Sequence, residues 1–405
     1  MNSARNVRLV LFSVMICLTA HSQTWNSTTA PASVWLTMAG SQHGSNLVAA
    51  AYSDESFTFP GLIYASTNGG QTWQPTSAPS NFWFSVAASA DGQRLIAGAY
   101  TDAAGSLGQI FISTNGSLTW AVCGDAPLKN WQAVGSSADG RILVGATYNN
   151  YIYVSTNFGV NWFQSATIND WKTLAVSTNG MKMYAATLDG IYLSTNSGSS
   201  WNFSTTSPAL SYSVVCSADG NQIFTGIVGG SGTTDVGIYS STNGGTTWSQ
   251  TSAPIDIFQN YFFLSMSTYG DILLAGAYSS ENHGLVYLST DGGSTWIPQT
   301  APTNSWGCVF CSADGTLLTA GEFSGAIYSA SNPLVKPKLK ITTAANKSIV
   351  SWPLFPAGFQ LQSASSLTSS VNWTNAVSSA VTLGTNYYST NSLASPSAFF
   401  RLARP

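Results

Sequence analysis

Charged side chains are scarce in this sequence: Asp, Glu, Lys and Arg make up 7% of its 405 residues, against roughly 25% in an average soluble protein. Cysteine is also rare, with five residues, which excludes a dense disulfide scaffold. Beyond the N-terminus no apolar run reaches about 18 residues, so no membrane-spanning helix is predicted there. Aromatic residues, in contrast, reach 12%, and this abundance excludes an intrinsically disordered chain.

Residues 1–22 have the pattern of a signal peptide. Two arginines precede the apolar run Leu9–Leu18, and small residues follow it, so we expect cleavage after Ala20 or Ser22. The residues before Cys17 do not form a lipobox, which speaks against a lipid anchor. The sequence therefore predicts an exported protein, secreted or at the cell surface.

Without the two arginines of the predicted signal peptide, the chain has a net charge of −5. This charge is unevenly divided along the chain. All 16 acidic residues lie between Asp54 and Glu322 with only five basic ones, whereas residues 336–405 carry six basic residues and no acidic one. This shift predicts a main body over residues 23–333 and a small module over residues 334–405. An acidic main body does not attract nucleic acid.

Cysteine and histidine give no sign of a metal or cofactor site. Cys308 and Cys311 form a C-x-x-C in a predicted strand, where residues three apart point to opposite faces. We expect them, with Cys123 and Cys216, to be buried small side chains. The histidines form no H-x-x-H motif or Cys/His cluster, so neither a metal nor a cofactor is predicted.

An eight-residue block repeats along the main body. Its first copy is Ser66–Trp73, and the others are Ser113–Trp120, Ser155–Trp162, Ser194–Trp201, Ser241–Trp248 and Ser289–Trp296. A turn glycine precedes each copy and recurs every 40 to 50 residues, at Gly44, Gly92, Gly140, Gly180, Gly220, Gly270 and Gly315. Seven such units, each with four short strand patterns, predict an all-β, seven-bladed β-propeller.

The block resembles the Asp-box (BNR) repeat, S-x-D-x-G-x-x-W, of sialidases, sortilin-type receptors, xyloglucanases and Ycf48-type photosystem assembly factors. Asn replaces the acid in five copies, and only Asp291 keeps it. In that family the box is structural, so the resemblance implies that its Trp residues belong to the core.

The seventh copy, residues 328–333, stops before its Trp. Residues 23–35 align without gaps on residues 71–83, an outer strand with its following connection. We therefore expect the N-terminal strand to complete the last blade and close the ring.

Residues 334–405 do not continue the repeat but show short strand patterns, which predict a small β-sandwich-like module. Its residues 359–363, Trp373 and 399–402 resemble a C-terminal module of exported bacterial repeat proteins. A stalk or cap is the expected role; its charge of +6 leaves attraction to an anionic surface as the alternative.

In a propeller the second-to-third and outer-to-inner strand connections share one face, here called the site face, and ligands bind there near the axis. A sialidase needs three arginines to clamp a carboxylate. The propeller has only Arg94 and Arg141, both predicted on the opposite face, here called the turn face. Sialidase activity is excluded.

An inverting hydrolase of the xyloglucanase type needs two carboxylates about 6.5–9.5 Å apart. Asp170 with Glu322 or with Glu55 would be such a pair on the site face. This hydrolase is the alternative function.

One aromatic position recurs at the predicted start of every inner strand. Counting back nine residues from the turn glycine, or eight in blade 5, gives Trp35, Trp83, Trp131, Trp171, Tyr212, Tyr261 and Trp306. Either these rings stand around the axial mouth and bind a ligand through their faces, or they fill the grooves between blades. The first interpretation predicts an exported, monomeric, non-catalytic binding or scaffold propeller for a glycan or an extracellular protein.

Overall fold

The structure, a computed structural model, describes residues 23–166, 168–228, 236–254, 261–278 and 284–332, and then 339–344, 347–353, 360–364, 374–375, 381–383, 386–392 and 399–403. The predicted signal peptide, residues 1–22, lies outside the described residues. The regular elements of the described residues are β-strands, and no helix among them is long and apolar enough to cross a membrane.

Seven four-stranded antiparallel sheets form the main body, which confirms the predicted seven-bladed propeller. From the axis outwards the strands of blades 1 to 4 are Ser33–Gly40, Leu47–Asp54, Ile63–Ser66 and Gln74–Pro75; Asn81–Ala88, Leu95–Asp102, Ile110–Ser113 and Ala121–Val122; Trp131–Ser136, Leu143–Thr147, Ile152–Ser155 and Phe163–Gln164; and Trp171–Val176, Met183–Thr187, Gly190–Ser194 and Asn202–Phe203. Those of blades 5 to 7 are Ser211–Cys216, Ile223–Ile227, Gly237–Ser241 and Ser249–Gln250; Tyr261–Met266, Leu273–Tyr278, Val286–Ser289 and Ile297–Pro298; and Trp306–Cys311, Leu317–Glu322, Ile327–Ser331 and Asn26–Ser27.

The repeated block forms the turn between the third and outer strands. In its first copy Ser66 Oγ donates to Asn68 Oδ1 at 3.0 Å and accepts from the amide of Gly70 at 2.9 Å. Asn68 Oδ1 also accepts from the amide of Thr72 at 3.0 Å, and Trp73 Nε1 donates to the Gly70 carbonyl at 3.0 Å. Asn serves here as well as Asp because the turn needs a side-chain oxygen acceptor rather than a charge.

The first and last strands of the main body close the ring. Asn26 pairs with Ser329 and Ser27 with Tyr328, so the N-terminal strand is the outer strand of blade 7. This confirms the predicted closure and leaves blade 7 with the same four strands as its neighbours.

A belt of backbone hydrogen bonds links the turns between inner and second strands on the turn face. Each bond joins one blade to the next, at 2.7 to 2.9 Å, along the series Gln42, Ala90, Ala138, Thr178, Ala218, Thr268 and Ala313. At the remaining junction, between blades 7 and 1, His43 Nδ1 lies 3.2 Å from Asp314 Oδ2. These contacts fix the spacing of the inner strands around the axis.

The chain divides after Pro333 into the propeller, residues 22–333, and a second unit that begins at Leu334. The described part of that unit has a four-stranded sheet and a three-stranded sheet around Val350, Trp352 and Leu361. In sheet order the strands are Lys340–Ala344, Lys347–Pro353, Asn386–Ser392 and Val381–Leu383, and Thr374–Asn375, Gln360–Ala364 and Phe399–Ala403. Two sheets that share one apolar cluster fit the predicted sandwich-like module.

Candidate functional site: the axial mouth

A cavity of about 690 Å³ lies on the propeller axis. Inner strands of all seven blades contribute to its wall, for example through Leu36, Phe84, Gln132, Lys172, Tyr212, Phe263 and Val309. Its size is in the range of known small-molecule and cofactor sites. It is the place where the sequence analysis expects a ligand.

The five predicted Trp residues do not line this cavity. Their side chains are completely buried, with 0% exposure, at Trp35, Trp83, Trp131, Trp171 and Trp306. Each ring packs edge-on against an aromatic ring of its own third strand, with centroids 5.2 to 5.9 Å apart. Three of the indoles donate Nε1–H to a carbonyl of the preceding blade. The expected position of these five rings at the mouth is therefore wrong, because they fill the grooves between blades.

Glycines in the second strands make this packing possible. A Cβ atom added to Gly98 would lie 3.0 Å from Cβ of Trp131 in the next blade, and one added to Gly321 would lie 3.0 Å from Cβ of Trp35. Contacts this short are tighter than nine in ten real Cβ contacts, so the neighbouring Trp would have to shift. The glycine in the second strand of one blade thus leaves space for the Trp of the next blade to pack against it.

In six of the seven blades a β-bulge in the inner strand decides which residue faces the axis. In blade 3 the pairing passes from Trp131–Thr147 directly to Ala133–Ala146, so Gln132 is the extra residue, and it lines the cavity. The same irregularity occurs in blades 1, 2, 4, 5 and 7. A bulge redirects side chains locally, and here it turns Trp away from the axis and the next residue towards it.

The two predicted tyrosines have different outcomes. In blade 5 Ser211 takes the place of Trp in the pairing, because it lies opposite Ile227 as Trp131 lies opposite Thr147. Tyr212 is one position further on and lines the cavity. Tyr261 begins the inner strand of blade 6, but its side chain lies outside the described residues. A ligand-binding role for Tyr212 stays a prediction.

Other aromatic rings line the axial cavity, and Tyr100 and Tyr148 extend this set through ring contacts. We call this set the aromatic collar: Tyr52, Phe84, Tyr100, Tyr148, Tyr212, Phe263, Tyr278 and Phe323. Neighbouring rings touch, with centroid distances of 5.0 to 6.1 Å, in the series Tyr52–Phe84–Tyr100–Tyr148 and in the pairs Tyr212–Phe263 and Tyr278–Phe323. Their phenols and ring faces are amphipathic surfaces of the kind that proteins use for ligands.

A fixed offset in the sequence could have found most of the collar. The residue eight positions after each turn glycine is Tyr52, Tyr100, Tyr148, Leu188, Val228, Tyr278 or Phe323. These residues lie within the last three positions of the second strands or directly follow them, at the site face. Five of the seven are aromatic, which is the same kind of signal that singled out the inner-strand tryptophans.

Polar groups interrupt the collar at blades 3 and 4. Lys172 Nζ lies 2.7 Å from Asp170 Oδ2. Asp170 Oδ1 and Gln132 Oε1 are buried and have no hydrogen-bond partner among the described residues. Buried acceptors of this kind seek a donor, so a hydroxyl or amide of a ligand, or a water, would satisfy them.

The phenol of Tyr100, a collar residue, interacts electrostatically with Asp170 of this polar cluster. Burial raises the pKa of Tyr100, and the neighbouring Tyr148, Tyr52 and Asp170 raise it further. The Tyr100 hydroxyl therefore stays protonated at neutral pH and keeps a hydrogen to donate.

The carboxylates of the hydrolase alternative already have structural contacts. Asp170 pairs with Lys172. Glu322 is buried and accepts a hydrogen bond from Asn304 Nδ2 at 2.5 Å and one from the amide of Ala326 at 2.7 Å. Glu55 is exposed in the loop after the second strand of blade 1. Asp235, Asp256, Glu281 and His283 lie outside the described residues.

The arginines lie on the turn face, as predicted. Arg94 stacks 4.3 Å above the ring of Phe158, and Arg141 Nε donates to the carbonyl of Thr156 at 3.1 Å. Phe158 and Thr156 belong to a repeated block, far along their blade from the second-to-third strand connections. Among the described residues no group of three or more His, Cys, Asp or Glu residues could hold a metal ion.

No protein-family model matches the chain, and the comparison with curated proteins gives no match. Solved structures do match. The GH74 xyloglucanase of Xanthomonas campestris is 13% identical with a TM-score of 0.60, over 82% of this chain and 59% of that one. This chain thus spans about three fifths of the xyloglucanase.

Two further structures are matched over nearly their whole length. YCF48 bound to D1 peptide is 16% identical with a TM-score of 0.55, over 78% of this chain and 98% of that one. The β-propeller domain of Cps50 (Swd1) from Myceliophteria thermophila is 12% identical with a TM-score of 0.57, over 76% of this chain and all of that domain. At such identities the likeness establishes the fold: the protein is a β-propeller. These neighbours include a glycoside hydrolase and a peptide-bound protein.

Proposed function

We propose that this protein is an exported, non-catalytic binding propeller that holds a glycan at its axial mouth. The observation that carries the proposal is the combination of the aromatic collar with an unpaired buried acceptor, Gln132 Oε1, in the wall of one cavity of about 690 Å³. Sugar rings have apolar faces that stack on aromatic rings and hydroxyl groups that donate hydrogen bonds. The collar offers the first kind of contact, and Gln132 Oε1 in the cavity wall offers the second.

Binding is better supported than hydrolysis. A catalytic pair needs one carboxyl group that gives a proton and another that activates water. Glu322 instead accepts two hydrogen bonds close to its own hairpin, and Asp170 is neutralised by Lys172. These contacts favour structural or binding roles. The glycoside hydrolase therefore remains the second candidate, supported by the fold of the xyloglucanase neighbour.

The test is a binding screen of the purified protein against plant and microbial polysaccharides, followed by calorimetry with oligosaccharides of the best ligand. Phe84→Ala, Tyr212→Ala and Phe323→Ala should each weaken binding by about 1–3 kcal/mol, by analogy with the loss of one stacked base. Gln132→Met keeps the size of the side chain but removes the acceptor, and should weaken binding as well.

Phe163→Ala is the matched control, because Phe163 is exposed on the outer strand of blade 3, away from the axis. It should leave the affinity unchanged. Release of reducing ends from a bound polysaccharide would instead support the hydrolase. Failure of every tested glycan to bind, with all variants correctly folded, would contradict a glycan ligand.

A further inference from the structure

A second surface lies on the site face of blades 1 to 4, and it adjoins the cavity at Phe57, which also contributes to the cavity wall. Six large apolar side chains there are between 38% and 67% exposed: Phe57, Phe59, Leu107, Leu128, Ile168 and Leu188. We call them the apolar crescent. They belong to the second-to-third strand connections of blades 1, 2 and 4 and to the connections that lead into blades 3 and 4. Isolated exposed apolar residues are normal, but a succession in four adjacent blades marks an interaction surface.

The loops that carry the crescent are tied to one another. The amide of Lys129, next to Leu128, donates to the carbonyl of Gly108, next to Leu107, at 3.1 Å. Leu107 and Leu128 therefore come from loops in direct contact. In the same way the amide of Asn169, next to Ile168, donates to the carbonyl of Asn150 in blade 3 at 3.2 Å.

Hydrogen bonds to Asp54 and a ring contact with Phe323 order the loop between the second and third strands of blade 1. Asp54 Oδ1 accepts hydrogen bonds from the amides of Thr58 and Phe59 at 2.7 and 2.9 Å, and the ring of Phe57 lies 5.9 Å from that of Phe323. A surface that is already ordered loses little conformational entropy when a partner binds. The crescent is thus preformed for docking.

The charge around the crescent selects the kind of partner. The same loops and strand ends carry six acidic residues and two lysines, a net charge of −4. The acidic residues are Asp54, Glu55, Asp102, Asp125, Asp170 and Asp189. Such a surface attracts cations and repels anionic phospholipid headgroups. An apolar surface within an acidic field therefore favours a basic polypeptide over a membrane.

We propose that the apolar crescent is a docking surface for a cationic, amphipathic polypeptide segment of a partner protein. Apolar side chains of the segment cover Leu107, Leu128 and their neighbours, and its lysines or arginines face the surrounding carboxylates. The docking argument does not use Gln132, the cavity acceptor on which the glycan proposal depends, and the variants that test it leave the aromatic collar unchanged.

The experiment measures binding of the full-length protein to a lysine–leucine amphipathic peptide and to its glutamate–leucine counterpart. The two probes have the same apolar face and opposite charge. The protein should bind only the lysine peptide, less tightly as salt rises. Two double variants should each weaken this binding about tenfold or more: Leu107→Ser with Leu128→Ser, and Glu55→Gln with Asp189→Asn.

The control is Val122→Ser with Phe163→Ser, which removes two equally exposed apolar residues from outer strands and should leave the affinity unchanged. Melting curves confirm that all variants fold. Equal binding of both peptides, no binding of the lysine peptide, or no effect of the crescent variants would overturn the proposal. Tighter binding to phosphatidylcholine or phosphatidylglycerol vesicles than to the peptide would overturn it in favour of a membrane. Intact oligosaccharide binding by the crescent variants separates this result from the glycan proposal.

Discussion

The indole Nε1 of Trp35 donates a hydrogen bond to the carbonyl oxygen of Gly325 at 2.9 Å, although 290 positions separate the two residues. The bond joins blade 1 to blade 7 across the closing junction. Equivalent bonds run from Trp171 to Asn150 and from Trp306 to Gly284, each to the preceding blade. These tryptophans therefore hold neighbouring blades together.

We predict that Trp83→Ala and Trp131→Ala each lower the free energy of unfolding by about 3–5 kcal/mol, the usual cost of truncating a fully buried Trp. Urea unfolding of each variant measures this. Val122→Ala is the control, since Val122 is 47% exposed on the outer strand of blade 2 and its truncation should cost little stability. Unchanged melting of both Trp variants, together with loss of ligand binding, would contradict their packing role and support a ligand-binding role for these rings.

Deleting residues 23–28 should remove the outer strand of blade 7 and expose the third strand, Ile327–Ser331, as an unpaired edge. An unpaired strand edge invites association with other chains. We expect a lower melting temperature, a broader transition and aggregation, as followed by calorimetry and light scattering. A deletion variant that melts like the parent would show that the strand is dispensable for closure.

Acid should weaken the fold through three equivalent turns on the turn face. Hydrogen bonds from Ser89, Ser137 and Ser217 are the main cause that lowers the pKa of Asp91, Asp139 and Asp219, respectively, below the ordinary value of 3.8. Because the folded state prefers the charged form, these groups stabilise the protein above the unfolded pKa. That contribution is lost as the pH falls from about 4 through the lowered values.

The triple variant Asp91→Asn, Asp139→Asn, Asp219→Asn tests this. Blade 4 shows that Asn fits, since Ser177 Oγ donates to Asn179 Oδ1 at 3.0 Å in the equivalent turn. Melting temperatures between about pH 6 and pH 2.5 should fall less steeply for the variant than for the parent. Parallel curves would show that other groups cause the acid sensitivity.

The described cysteines should resist alkylation in the native protein. Burial raises the pKa of Cys216 and of Cys308 to about 12, and it also raises the pKa of Cys123 and Cys311. Because the thiolate is the nucleophile, iodoacetamide at about pH 8 should label none of the four until the protein unfolds. Mass spectrometry with and without guanidinium measures this. Rapid labelling of Cys308 in the native state would indicate that the axial cavity opens to reagents.

The sequence by itself determined the number of blades, the position of their turns and the closure by the N-terminal strand. Each of these depends on local chemistry at a fixed spacing: a glycine at positive φ in the turn after every inner strand, a Ser–Asn or Ser–Asp turn before the outer strands of blades 1 to 6, and an ungapped match of residues 23–35 to 71–83. Local hydrogen bonds repeat with the sequence, and so can be recognised in it.

Only the tertiary structure decided which aromatic residues face the axis. Trp131 and Gln132 are neighbours in the chain, and the bulge in their strand sends one between the blades and the other into the cavity. Strand alternation gives the two faces of a strand, but a single extra residue exchanges them. The unpaired oxygen of Gln132 is likewise visible only in the folded structure. Periodicity fixed the positions of these residues along the chain, and packing between blades fixed what each side chain can touch.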